Sequence, residues 1–399
     1  MKTVGIICEY NPFHFGHAGH IEKTRKMFGD SECAVIGVMS GNFVQRGDFA
    51  VFNKHARAEA TLRCGVDLVI ELPTPYVLTS AEGFARAGVH LLDSTGVCDY
   101  ISFGSESGDI EPLLQVANAL NSDKANNLTK NRLDTGLSYA AAKQKAVDEI
   151  LGKASKALKS PNNLLGIEYL IALSVLNSSI KPITVKRTGG EHDRDSGYAA
   201  SLLRKELLTG SMPWEFIPNH ASDVYIKEIA SGRGPVSLKY CESAIIARLR
   251  QYDNYDKLAG ASEGLGFRFA KFAKSEPTID KILTGTKTKR YVMSRLRRMV
   301  LCAALDITVD DIINPPPYIR VLAMNKNGMK LLKKMRKSSK LPVITKPASV
   351  LKLNDDAKKM FLKEAACTDL YTIAYPDENE RTGGGEWLES PPVIQSFPR

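Results

Sequence analysis

Through the first hundred residues, short apolar runs alternate with stretches of helical period. Residues 4–8, 34–39 and 68–72 are mostly apolar runs of strand length, and 100–103 supply a fourth. Runs this continuous belong to strands covered on both faces. Between them, residues 16–27, 53–64 and 79–92 read as helices. Strand and helix in alternation predict right-handed crossovers and a parallel sheet with helices on both faces. Such sheets bind ligands at the carboxyl ends of their strands, near a topological switch point.

Past residue 110 the pattern turns helical, most clearly over 139–151 and 164–176. One more strand, 183–186, precedes a Gly189-Gly190 turn and a helix over 200–208. Further helices follow at 242–251, 266–274 and 290–305, until Pro315-Pro316-Pro317 breaks the run. "YIRVLAMNKNGMKLLKKM" then reads as a strand, a turn and a basic amphipathic helix. The expected organisation is a catalytic α/β domain over 1–210, a mainly helical basic domain over 211–376, and a flexible tail over 377–399. The tail carries Gly383-Gly384-Gly385 and several prolines and has little apolar content to pack.

A chain of 399 residues has room for two or three domains. No apolar stretch approaches the roughly 20 residues needed to cross a bilayer, and Glu9 and Asn11 interrupt the N-terminus before a signal-peptide core forms. The seven cysteines stand singly with no CxxC pair, which argues for reduced thiols, a cytoplasmic location and no zinc ribbon. Residues 281–340 hold fifteen lysines and arginines against three aspartates, an excess of twelve where the whole chain's is ten. Charge segregated in this way predicts a polyanion-binding surface; a solvated lysine-rich face is the alternative.

The chemistry-bearing stretch is "NPFHFGHAGH", directly after the first strand. His14-Phe15-Gly16-His17 falls at the strand-to-helix junction, where unpaired backbone N–H groups and the positive end of the helix dipole favour a phosphate. Gly16 leaves room for close approach. The three-residue spacing puts both imidazoles on one side of the first turn. Two donors aimed at an α-phosphate can hold the charge that develops when an oxygen attacks it and pyrophosphate leaves. This is the HxGH pattern of nucleotidylyl transferases and class I aminoacyl-tRNA synthetases. His20 lies two turns from His14, so the three histidines do not converge as a metal site, and no metal ligand is assigned. No GxxxxGK[ST] and no GxGxxG after a strand offers another phosphate cradle.

"GIICEYNPFHFGHAGHI", "SGNFVQRGD", "VIELP", "FGSES", "SPNNLLGIEYL" and "KRYVMSRLRRM", in this order and spacing, resemble the bacterial tRNA(Met) cytidine acetate ligase family. The resemblance implies a Rossmann-like parallel sheet of the HxGH nucleotidylyl transferase type, followed by the helical basic domain. It also implies a two-step reaction: acetate and ATP form acetyl-adenylate, and the acetyl group passes to the exocyclic amine of the wobble cytidine in elongator methionine tRNA. By the same resemblance, the ATP-binding segment falls on Ile7-Cys8-Glu9-Tyr10-Asn11-Pro12-Phe13-His14-Phe15-Gly16-His17-Ala18-Gly19-His20, with Gly104, Asn162 (Asn163 adjacent) and Arg187 as further contacts.

Each placement has a physical reading of its own. Gly104 ends a strand at the ligand edge, where bare backbone can approach an adenosine. Asn162 follows Pro161 at a helix start, fit for a ribose or base contact or for plain N-capping. Arg187 leaves the last strand at the same edge and suits a bidentate phosphate contact. The second phosphate motif of adenylyl-transferring relatives is only partly present here, as Ser201 and Arg204. Arg46, after the second strand, suits a carboxylate such as acetate. Lys287, Lys289, Arg290, Arg295, Arg297 and Arg298 interleave with Tyr291 and Met293, as expected of a surface that grips RNA phosphates and stacks on unpaired bases.

The sequence therefore predicts a ligase with ATP as substrate, magnesium as a plausible companion, and acetate and a tRNA anticodon loop as partners, with no membrane or protein partner implied. Two alternatives stay open: a small-molecule nucleotidylyl transferase, and a non-catalytic RNA-binding protein that kept a nucleotide fold.

Overall fold

The strands are β1 (Lys2–Cys8), β2 (Cys33–Ser40), β3 (Phe43–Val44), β4 (Asp48–Phe49), β5 (Leu68–Leu72), β6 (Tyr100–Ser105), β7 (Lys181–Lys186), β8 (Ile319–Met324) and β9 (Val343–Ile344). The computed structural model describes residues 1–29, 32–135, 137, 139–152, 160–186, 200–252, 254–388 and 391–392. Among them, seven strands form one sheet in the order β7-β6-β1-β2-β5-β8-β9, and β3 with β4 makes a separate ribbon. The pairs among β7, β6, β1, β2 and β5 are parallel, with Lys2 opposite Cys33 and Cys8 opposite Met39 along β1 and β2.

The chain runs outward from β1 through β2 to β5, then returns to lay β6 on the other side of β1. The switch point is thus the crevice between the carboxyl ends of β1 and β6.

The first helices are α1 (Phe15–Lys26), α2 (Lys54–Arg63), α3 (Thr74–Val77) and α4 (Ala81–Ser94). Strand alternation sorts the apolar residues between them. Val4, Ile6, Val35 and Met39 pack in one core, while Ile7, Ile36, Val38 and Ile70 pack in a second on the opposite face. Gly5 and Gly88 let α4 lie close on β1: a Cβ at Gly5 would stand 2.5 Å from Leu92 Cδ2, and one at Gly88 2.7 Å from Ile7 Cδ1.

Helices α5 (Glu111–Leu120), α6 (Asp123–Leu133), α7 (Tyr139–Leu151) and α8 (Pro161–Val175) follow β6, and α9 (Ala200–Leu208) follows β7. Arg187 and the Gly189-Gly190 turn lie outside the described residues. Helices α10 (Asn219–Ala230), α11 (Glu242–Gln251), α12 (Leu265–Ser275), α13 (Ile279–Thr286) and α14 (Met293–Ala304) come next. The last four surround a third core that includes Ile245, Phe269, Ile282 and Leu301.

The mainly helical region over 211–376 also contributes to the sheet, through the strand read in "YIRVLAMNKNGMKLLKKM". β8 pairs antiparallel with β5, and β9 pairs parallel with β8. Asn325 fixes this return: its Nδ2 donates to Asp67 Oδ1 at 2.9 Å, while its Oδ1 caps α15 (Lys326–Ser338) by accepting from Gly328 N at 3.0 Å. The basic excess is therefore divided between α14 and the residues just before it, beside the helical core, and α15, on the sheet.

The segment expected to be a flexible tail is also tied down where it is described. α17 (Gly385–Leu388) carries Glu386, which is 0% exposed. Its carboxylate accepts from Lys54 Nζ at 2.6 Å and from Arg320. Lys54 also donates to Glu71 at 2.6 Å. The preceding helix α16 (Asp355–Thr372) adds Glu364, whose carboxylate accepts from the Thr74 backbone and hydroxyl.

Candidate active site

His14 is the N-cap of α1, with extended backbone at φ −145° and ψ 173°. Its Nδ1 accepts from Gly16 N at 3.0 Å, and His17 Nδ1 accepts from His14 N at 3.3 Å. This reciprocal box satisfies two of the orphan donors of the first turn with imidazoles. Because each Nδ1 is an acceptor, a neutral ring carries its proton on Nε2, so both rings are tautomers with an Nε2–H to donate. The rings lie 3.7 Å apart between centroids at 36°.

Around this turn lies a cavity of about 740 Å³ at the switch point. Its wall draws on the end of β1 (Ile7, Cys8, Glu9, Tyr10, Asn11), on His17 and His20 of α1, and on Ser102, Phe103 and Gly104 of β6. Leu164, Leu165, Gly166 and Tyr169 come from α8. Three arginines complete it: Arg46 from the β3–β4 turn, Arg204 from α9 and Arg297 from α14.

Buried polar groups hold the wall in place. Arg57 is fully buried and donates to the carbonyls of Glu9, Ser40, Gly41 and Phe52, pinning the ends of β1 and β2. Asn11 Oδ1 accepts from Val51 N at 2.8 Å, and Arg204 donates to the Asn11 carbonyl at 2.8 Å. Tyr225 offers its hydroxyl oxygen to Phe13 N at 3.0 Å. His20 Nε2 lies 3.0 Å from Ser102 Oγ. Glu9 Oε1 accepts from Gln45 N at 2.5 Å, and burial holds this carboxyl above the usual carboxylate range. The β3–β4 turn reaches α14 through Gly47, where φ is +77° and a Cβ would stand 2.4 Å from Arg298 N.

A family model described as HIGH Nucleotidyl Transferase matches residues 1–385. The tRNA(Met) cytidine acetate ligase of Thermosipho melanesiensis is 36% identical over 425 residues, covering 99% of each chain. The chain belongs to this ligase family. The tRNA(Met) cytidine acetate ligase of Caldanaerobacter subterraneus is 38% identical over 388 residues, 94% of this chain and 96% of that one. The crystal structure of Thermotoga maritima TmcAL bound with alpha-thio ATP superposes with a TM-score of 0.91 at 32% identity, covering 99% and 100% of the two chains.

Of the segment that the resemblance to the ligase family marks for ATP, seven residues line the cavity: Ile7, Cys8, Glu9, Tyr10, Asn11, His17 and His20. Phe13 is fully buried core, and Pro12 is buried beside it. Phe15 and Gly16 are exposed, and Ala18 and Gly19 are partly exposed along α1. None of these lines the cavity, nor does His14, which reaches it through its ring contact with His17. Gly104 lines the wall as expected.

Asn162 lies in the first turn of α8, its side chain outside the described residues. Asn163 Oδ1 accepts from Glu106 N at 3.2 Å, bracing the loop after β6. Ser201 is exposed and away from the cavity.

The arginines grouped as an RNA surface separate in space. Arg297 belongs to the nucleotide-side cavity, whereas Arg295 and Arg298 line another cavity of about 580 Å³. Arg295 is committed to Glu263 at 2.8 Å, to Gly260 O at 3.0 Å and to Ser262 O at 2.9 Å. Arg298 donates to Gln45 O at 3.4 Å. Lys287, Lys289 and Arg290 are exposed. Sequence reasoning did not find Arg57, Ser102, Phe103 or Tyr169. Phe103 and Tyr169 had a signal, their places in "FGSES" and "SPNNLLGIEYL".

Proposed function

We propose that this chain is an ATP-dependent ligase that activates acetate as acetyl-adenylate and transfers the acetyl group to the wobble cytidine of elongator tRNA(Met). The observation that carries the reading is His17, held by the His14-Gly16-His17 turn, on one cavity wall with Arg46, Arg204 and Arg297. A triphosphate needs that charge, and an α-phosphate needs the turn.

In the first step a carboxylate oxygen of acetate bonds to the α-phosphorus of ATP, and the bond to the bridging β-phosphate oxygen breaks. The electron pair leaves with pyrophosphate. His17, with His14 stacked behind it, stabilises the pentavalent phosphorus. Arg204 and Arg297 take the β- and γ-phosphates, the role first given to Ser201 with Arg204. Arg187 and Asn162 remain nucleotide contacts in this proposal. In the second step the cytidine amine attacks the acetyl carbonyl, AMP leaves as the anion, and a basic group or water takes the amine proton.

Magnesium enters only as a companion of the phosphates. Glu9 is the one carboxylate on the cavity wall, and among the described residues no cluster of three His, Cys, Asp or Glu side chains is placed to hold a metal ion. The exposed Lys287, Lys289 and Arg290 near the start of α14 are the first candidates to grip the anticodon loop. Among the described residues no helix is long and apolar enough to cross a membrane; a cytoplasmic location, where tRNA is met, is part of this proposal.

The deciding experiment supplies labelled acetate, ATP and total bacterial tRNA, then digests the tRNA. Acetylated cytidine is expected. A nucleotide-transfer product without it would favour a small-molecule transferase, and tRNA binding without ATP turnover would favour a non-catalytic protein.

A further inference from the structure

Two phenol hydroxyls on the cavity wall have no task in the steps above. Tyr169 of α8 is 2% exposed and Tyr10, after β1, is 4% exposed, and both line the cavity. Among the described residues the Tyr169 hydroxyl has no hydrogen-bond partner, and the Tyr10 hydroxyl meets only the Cys8 thiol, a weak sulfur acceptor. Buried polar groups are nearly always well paired, so two under-satisfied hydroxyls on one wall point to a ligand that supplies the acceptors.

Tyr10 is unusual in a second respect. Its φ is 45°, the left-handed region that bulky L-residues rarely adopt. Such conformations persist where the surroundings impose them, and they cluster at ligand sites. The Tyr10 ring lies 4.6 Å from that of His17, so whatever its hydroxyl binds sits beside the imidazole pair.

The surroundings narrow the ligand's chemistry. Burial holds both phenols protonated far above their ordinary range, so they act as donors. Phe103, whose ring is 5.8 Å from that of Tyr169, and Leu165 are apolar neighbours on the same wall. Two neutral donors beside a small apolar wall suit a short carboxylate with an alkyl end.

We propose that Tyr10 and Tyr169 form the acyl-donor subsite, their hydroxyls donating to the carboxylate of acetate while Phe103 and Leu165 wall its methyl end. The assignment rests on the ligase reading. It places the attacking oxygen next to His17; that oxygen gains a bond to phosphorus, pyrophosphate leaves with the electron pair, and no proton moves.

The test is ATP–pyrophosphate exchange by the full chain, with acetate and ATP varied in turn, for wild type, Tyr10→Phe and Tyr169→Phe. No acetate-dependent exchange by wild type would overturn the ligase reading itself. Given that exchange, each variant should raise the KM for acetate about tenfold or more, the effect of one hydrogen bond to a charged group, with the KM for ATP within about twofold. An unchanged acetate KM in either variant, or an ATP KM that rises in step, overturns the subsite. The ligand-free melting midpoint of each variant should equal or exceed that of wild type, because no more than a weak contact with sulfur is lost. A lower midpoint would mean a structural partner and would overturn it as well.

Discussion

His17 Nδ1 accepts the backbone N–H of His14, so the ring that faces the cavity is oriented by the helix it starts. Replacing His17 with alanine removes both a donor and a cap. Acetyl-adenylate formation should fall by about 10²–10³, the cost of one lost transition-state donor. Affinity for tRNA should stay near wild type, as a filter-binding titration can check. An equal loss of both would make the residue a scaffold alone.

Gly47 lets the β3–β4 turn touch α14, and so sets Arg46 and Arg297 on one wall. In Gly47→Ala the new methyl must displace the backbone at Arg298. Overpacking of this kind costs about 1–3 kcal/mol. The variant should melt lower and form acetyl-adenylate at least about tenfold more slowly at saturating acetate. A normal rate with a normal melting curve would show that the turn and helix are not coupled.

Glu386 completes a buried charge cluster with Lys54, Arg320 and Glu71. Removing one member leaves uncompensated charge inside the protein. Glu386→Ala should therefore lose about 3–5 kcal/mol in urea unfolding. A loss below about 1 kcal/mol would match an exposed pair and refute the burial.

Glu364 gives a pH signature. Burial first, then the charge of Glu71, pushes its carboxyl up to about 7 from an ordinary 4.5. A carboxyl raised in the folded state favours folding below its unfolded pKa, and that contribution is lost as pH rises through the folded pKa. Between about pH 4.5 and 7, wild type should lose stability on the order of 3 kcal/mol that Glu364→Gln keeps. The variant's advantage should thus be larger at pH 8 than at pH 5. The opposite trend in parallel melts would count against it.

The basic residues at and just before the start of α14 should separate in RNA binding. Lys287 and Lys289 are exposed, and replacing either with alanine should weaken tRNA binding and reduce the salt slope by about one. Arg295→Ala should leave the slope unchanged and lower the melting point, because Glu263 and two carbonyls already hold its guanidinium.

The strands β1, β2 and β5 were legible because they are buried along nearly their whole length, which leaves apolar runs that few other elements produce. The HFGH turn was legible because its function depends on a local strand-to-helix junction. The place of β8 was not. Its run reads as a strand, yet its partner β5 lies about 250 residues earlier, and nothing in a local pattern names a distant partner. Arg295 and Arg297 show the same limit on a smaller scale. Two residues apart on a helix they face different cavities, a distinction that counting charges along the chain loses. Glu386 was hidden by its company, since three glycines and several prolines outweigh one carboxylate whose burial depends on Lys54 and Arg320.

The pairing of β8 with β5 gives the helical segment two attachments to the sheet, one leaving through β7 and one returning through β8. The helices between them are thereby a closed handle and not a pendant lobe. A single cut in the chain between α10 and α14 would leave each fragment with its own strands of one ladder. What joins the two halves of this enzyme is the sheet, and the peptide that threads between them is secondary.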